Sequence, residues 1–302
     1  MSDGKRYLVV TADDFGIGPA TSRGILDLAA EGLVTCTVLL VNSPYATDAV
    51  EAWKAAGRRL ELGWHPCLTL DRPVLSAADV PSLVRPDGSF WPLGAFVRRL
   101  LRGAIRAEEV KAELTAQCER FEMLVCQAPT AVNSHHHVQV FPPVGEILLD
   151  ILRECDPLPY VRRVREPWSI LATVPGARGK RALLSLLGRR DAARQSKLGF
   201  PGNEWLAGVT DPPFVKDPAF LTRWLARLPG EVVELTCHPG YRDETLLGRD
   251  ATVADGQMQR RVDEFQLLSR PDFREACRSA GFARVAPSEW LAMSRRGAAY
   301  AA

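Results

Sequence analysis

The chain has 302 residues, 46% of them hydrophobic and 25% charged, with a formal net charge of +2. Such proportions belong to a globular protein that can bury a full core, and so small a charge gives no case for nucleic acid as a partner. The seven cysteines, at 36, 67, 118, 126, 155, 237 and 277, are odd in number and never spaced C-x-x-C. This excludes a disulfide framework and a cysteine zinc knuckle as first readings and points to reduced thiols in the cytoplasm.

The chain opens Met-Ser-Asp-Gly-Lys-Arg and runs into only four apolar residues before Thr11, too few for a signal peptide. No apolar stretch reaches the roughly 20 residues of a membrane span. Residues 7–10 predict a first strand, and Gly18-Pro19 precede a helical pattern over about 21–31 that Gly32 ends. A β-branched run over 35–41 predicts a second strand, with a helix over 46–56 after it, and a third strand over 60–64 stops at His65. Residues 107–125 carry apolar positions at helical spacing with Glu and Lys outside. Residues 131–133 lead into His135, His136 and His137, and Pro142-Pro143 open a helix through 152. Residues 231–237 predict a late strand that stops at His238. Strands alternating with helices imply a parallel sheet with right-handed crossovers, open or closed into a barrel. Residues 169–215 lack a clear period, with a basic, apolar patch over 178–190 and Gly/Pro-rich sequence after it. They read as an irregular insertion over the mouth of a single domain spanning 1–302.

All five histidines fall in three patches, and Asp13-Asp14 lie inside Thr-Ala-Asp-Asp-Phe-Gly. Asp13, His65, His135 and His238 each follow a strand-like run. In parallel α/β folds those loops gather at the carboxyl ends of the strands, where active sites form. Imidazoles plus a carboxylate are the ligand set of a mononuclear divalent metal site. Adjacent carboxylates repel unless solvated or compensated by a cation, and the spare one is a candidate base. In an extended segment alternate side chains share a face, so His135 and His137 are expected to face the site, His137 towards substrate, and His136 to point away. His238 sits on a Pro-Gly turn as a ligand or general acid. Neither a G-x-S-x-G elbow nor a P-loop occurs, and no G-x-G-x-x-G follows the first strand. Glu108-Glu109 and Asp243-Glu244 read as solvated charges. Trp91, Trp168, Trp205, Trp224 and Trp290 read as core, with one or two available to stack on a sugar.

At these motifs the chain resembles the YdjC-like carbohydrate deacetylases, the group of the chitooligosaccharide and hopanoid-associated deacetylases. The matching stretches are Thr11-Ala-Asp-Asp-Phe-Gly16, Gly63-Trp-His65 with Leu68-Thr69, Asn133-Ser-His-His-His-Val138 with Phe141-Pro142, and Glu234-Leu-Thr-Cys-His-Pro-Gly240. The resemblance implies a distorted, incomplete (β/α) TIM-like barrel that hydrolyses the acetyl amide of an N-acetylated amino sugar. It further implies one divalent metal held by Asp14, His65 and His135, Asp13 as base, and His238 as acid or as stabiliser of the leaving group. Zn²⁺ suits two His and one Asp best, with Mg²⁺, Mn²⁺ or Co²⁺ as alternatives. Asn133 and Gln139 depart from the family, which commonly has Asp and His there. The segment 161–167 suggests Arg162 and Glu166 as substrate contacts. The hopanoid-associated branch is nearer over 161–167 and 224–240, which suits a lipid-linked amino sugar. A catalytically inactive sugar- or lipid-binding barrel and a metal-dependent hydrolase of another bond stand as alternatives, and homo-oligomerisation is open.

Overall fold

A computed structural model describes residues 6–301, and the side chains of residues 6–295. Its strands are β1 (Arg6–Phe15), β2 (Cys36–Leu39), β3 (Glu61–Trp64), β4 (Ala131–Val132), β5 (Tyr160–Val161), β6 (Trp205–Ala207), β7 (Val232–Cys237) and β8 (Phe282–Arg284). Helices α1 (Pro19–Ala30), α2 (Ala46–Ala55), α3 (Leu93–Leu101), α4 (Ala107–Val125) and α5 (Val144–Leu152) alternate with the first strands. They are followed by α6 (Trp168–Thr173), α7 (Arg178–Lys197), α8 (Phe220–Leu225), α9 (Gln257–Ser269), α10 (Pro271–Ser279) and α11 (Pro287–Ala301).

Every pairing between these strands is parallel, in the order β5-β4-β3-β2-β1-β7-β6, with β8 added against the start of β1. β1 is buried from Leu8 through Phe15, as expected of a central strand covered on both faces. Among the described residues no ladder joins the two ends of the sheet. Single backbone hydrogen bonds cross the gap instead, from Val161 N–H to Pro201 O (2.8 Å) and from Leu206 N–H to Arg165 O (2.9 Å). The architecture is the distorted, incomplete (β/α) barrel that the family resemblance implies.

Several local readings change. The histidine triplet is not extended: it forms a tight 3-10 turn, with His136 (φ 55°, ψ 16°) and His137 (φ 55°, ψ 34°) both left-handed. Residues 169–215 are largely regular, because they contain most of α6, all of the 20-residue α7 and β6. Periodicity misses α7 because its buried face holds Arg181, Ser185, Asp191 and Gln195, while Leu183 and Leu186 are 54% and 60% exposed. Asp243 is buried, and its carboxylate accepts from the backbone N–H groups of Ala20 and Thr21 (2.8 and 3.1 Å) at the start of α1. Glu109 is likewise buried and accepts from Ser82 N–H (2.7 Å). Neither is a solvated charge. All seven cysteines are unpaired thiols. Among the described residues no helix is long and apolar enough to cross a membrane.

Candidate active site

β1 delivers both acidic residues by breaking its own alternation. It pairs with β7 in regular register from Tyr7↔Val232 to Ala12↔Cys237, but its register against β2 slips between Ala12 and Phe15. Asp14 there has φ 66°, a left-handed conformation that costs a non-glycine residue about 1–3 kcal/mol. Such an irregularity re-aims side chains, and Asp13 and Asp14 both line one cavity of about 280 Å³ at the carboxyl ends of the strands. His65, His135 and His238 line it too, so the loops predicted to converge do so.

Asp14, His65 and His135 place one donor atom each within 4.8 Å of the others, all three residues buried. Asp14 Oδ1 lies 2.9 Å from His135 Nδ1 and 3.2 Å from His65 Nε2. The backbone carbonyl of Asn133 lies 2.8 Å from His65 Nδ1. A carbonyl only accepts, so Nδ1 carries the hydrogen and a neutral His65 turns its Nε2 lone pair on the carboxylate. Two lone pairs meeting in a buried site repel unless a proton or a cation stands between them. The donor set therefore fits a divalent cation, and the His65–carbonyl bond is the usual outer support of a metal-ligating imidazole. Arg261 donates to Asp14 Oδ2 (2.6 Å) and to Asp250 Oδ2 (2.8 Å). Burial opposes ionisation of Asp14, but Arg261 and His135 overrule it and hold the carboxyl well below the usual range.

Asp13 has different company. Arg162 donates to both its oxygens, at 2.6 and 2.8 Å, and Thr236 Oγ1 donates to Oδ2 at 2.9 Å. Burial again opposes the charge, and here Arg162 overrules it, keeping Asp13 ionised. Asn133 Nδ2 lies 3.4 Å from Asp13 Oδ1 as a donor. An Asp at 133 would instead set another carboxylate against Asp13. Arg162 is fully buried and its Nε donates to Glu234 Oε1 (2.8 Å), which also accepts from Thr11 Oγ1 (2.8 Å). It lies beneath the site and does not line the cavity, so its expected substrate contact is replaced by a grip on Asp13. Glu166 is also buried away from the cavity, spent on Arg181 (2.7 Å).

His238 is the half-buried member. Its Nε2 lies 3.9 Å from Asp13 Oδ2, and Arg260 Nη2 lies 3.1 Å from its Nδ1. Burial first and Arg260 second push the imidazole well below its ordinary pKa. His137 lines the cavity as expected, but so does His136, whose Nδ1 bonds Thr69 Oγ1 at 2.9 Å. The left-handed turn presents all three imidazoles to the mouth. Lys180, Val209 and Thr210 bring the 169–215 segment to the cavity, whereas none of the five tryptophans considered as sugar platforms lines it. Sequence reasoning missed Asp250, Arg260 and Arg261, which sit in or near a polar helix without any pattern to mark them. Glu234 did carry a signal, a lone charge between apolar residues of a fully buried strand.

A carbohydrate deacetylase from Geobacillus stearothermophilus is 32% identical over 270 residues, covering 88% of this chain and 90% of that protein. A chitooligosaccharide deacetylase from Klebsiella pneumoniae is 29% identical over 280 residues, covering 92% and 96%. A crystal structure from Enterococcus faecalis V583, described as a cellobiose-phosphate cleavage protein, superposes with a TM-score of 0.71 at 25% identity, covering 95% of this chain and 99% of that one. The family described as YdjC-like protein matches residues 7–279, and the chain belongs to it.

Proposed function

We propose that this protein hydrolyses the acetyl amide of an N-acetylated amino sugar, with one divalent cation held by Asp14, His65 and His135. The observation that carries the reading is the different company of two adjacent carboxylates. Asp14 faces two imidazole nitrogens at 2.9 and 3.2 Å, while Asp13 is bound by Arg162 and left beside the cavity. A binding module has no use for a spare ionised carboxylate next to a metal-ligand set, which weighs against the inactive-barrel alternative.

A divalent cation at this site, Zn²⁺ by preference, supplies Lewis acidity that makes water more acidic and polarises an acyl oxygen. The protein's residues supply the rest. Arg162 and Thr236 orient Asp13 and keep it unprotonated, ready to accept a proton from the attacking water. Asp13 Oδ2 and His238 Nε2 stand 3.9 Å apart, close enough for one polar atom lying beside both to hydrogen-bond to each. We assign His238 to the side of the departing amine. His137 is the substrate contact of the histidine turn. The cavity of about 280 Å³ matches one acetylated sugar unit, with the remainder of an oligosaccharide or a lipid carrier outside. The names of the Geobacillus and Klebsiella relatives support the same substrate class. The scattered unpaired thiols suit a cytoplasmic setting.

Acetate release from a panel of N-acetylated sugars, free and lipid-linked, tests the proposal. Release that stops with a chelator and returns with Zn²⁺ is expected. Hydrolysis confined to phosphoesters or ring amides would assign the site to another bond.

A further inference from the structure

The partners of His238 restrict which of its two expected roles it can take. Arg260 Nη2 approaches His238 Nδ1 at 3.1 Å, and a guanidinium is only a donor. Nδ1 must therefore accept, which leaves the single ring hydrogen on Nε2, 3.9 Å from Asp13 Oδ2. Arg260 is in turn fixed by Glu264, whose Oε1 accepts from Arg260 Nε at 2.6 Å while its Oε2 accepts from the backbone N–H of His238. One carboxylate thus holds both the main chain of His238 and the cation that addresses its ring. Arg260 and Glu264 are both buried and lie four residues apart on α9, so the clamp belongs to a rigid element.

We propose that Arg260 and Glu264 are positioning residues that lock His238 as a neutral Nε2–H donor, leaving both proton transfers of the reaction to Asp13. The inference rests on the deacetylase reading for its mechanistic part. Water's oxygen bonds to the acetyl carbon and its proton goes to Asp13. The C–N bond breaks, its electron pair stays on nitrogen, and that nitrogen takes the proton back from Asp13. The products are a neutral amine and acetic acid, which ionises in solution. His238 donates a hydrogen bond from Nε2 throughout and returns unchanged. A doubly protonated His238 would turn an N–H on Arg260, with Lys180 of α7 and Arg261 as further positive charges at the cavity and Asp13 and Asp14 opposing them.

The tautomer is read directly by ¹⁵N–¹H correlation of imidazole-labelled, metal-loaded wild-type protein, without substrate. A single neutral Nε2–H species for His238 across the pH range of activity supports the clamp; an imidazolium or an Nδ1–H form overturns it. Arg260→Met should release the ring, so that His238 populates both tautomers and gains a proton at mildly acidic pH. It should also lower kcat by about tenfold or more with KM within about twofold. His238→Gln, which restores a neutral donor, should retain clearly more turnover than His238→Ala; equal loss in both assigns a proton-transfer role to His238 and overturns the scheme. Absence of acetate release from every sugar, alongside the expected tautomer, would refute the deacetylase reading while leaving the clamp intact.

Discussion

Arg162 grips Asp13 through both oxygens of its carboxylate, at 2.6 and 2.8 Å, while its Nε is held by Glu234 at 2.8 Å. The guanidinium has no exposure. Two buried carboxylates therefore share one buried cation, and removing the cation leaves charge without compensation. Breaking such a pair costs about 3–5 kcal/mol. Arg162→Leu is expected to lose stability on that scale in urea unfolding and to lose turnover with it. Arg162→Lys, a point charge without the planar fork, should recover part of the stability and little of the activity.

Asp13 and Asp14 are neighbours with opposite expected phenotypes. Asp13→Asn should retain the cation and lose about 10²–10⁴-fold in kcat, the range of a missing general base. Asp14→Asn should lose both, since it removes the carboxylate of the ligand set. Metal content per chain, measured beside acetate release for each variant, checks the assignment; a metal-free Asp13→Asn protein would reverse the two roles.

Asp191 supplies a pH signature far from the chemistry. Burial on α7 pushes its carboxyl up to about 7, despite the 2.8 Å bond from Gln195 Nε2. The folded state thus holds this proton more tightly than the unfolded chain, whose carboxyl titrates near ~4. Its contribution to stability is fully present below about pH 4 and is lost as the pH rises towards about 7. Asp191→Asn should flatten that part of the stability–pH curve and raise Tm at pH 8, as read by thermal unfolding across pH.

Gly63 is required by close approach. A Cβ there would lie 2.2 Å from the carbonyl oxygen of Ala131 on the neighbouring strand. Gly63→Ala must push β3 from β4 two residues before His65, and should weaken metal binding more than it changes the far side of the sheet. Titration with Zn²⁺ against a competing chelator measures this.

The meeting of Asp13, His65, His135 and His238 at one cavity was legible because each follows a strand-like run, and parallel topology sends those ends to one mouth. The fold was legible for the same reason: short apolar strands such as β1 and β7 punctuate helical patterns. What stayed hidden is tertiary. Nothing local says that Arg162 points beneath Asp13, or that Arg260 and Arg261 reach the site from α9. The conformation of the histidine turn escaped because two successive left-handed residues have no signature in a run of identical side chains. The helix α7 escaped because its buried face is polar and two of its leucines are exposed.

The most direct test of the account is anomalous diffraction from crystals grown with Zn²⁺. A single zinc peak about 2.0–2.2 Å from Asp14, His65 and His135, with Asp13 unligated beside it, is the expected result. Zinc bound elsewhere, or bound by Asp13 in place of Asp14, would contradict it.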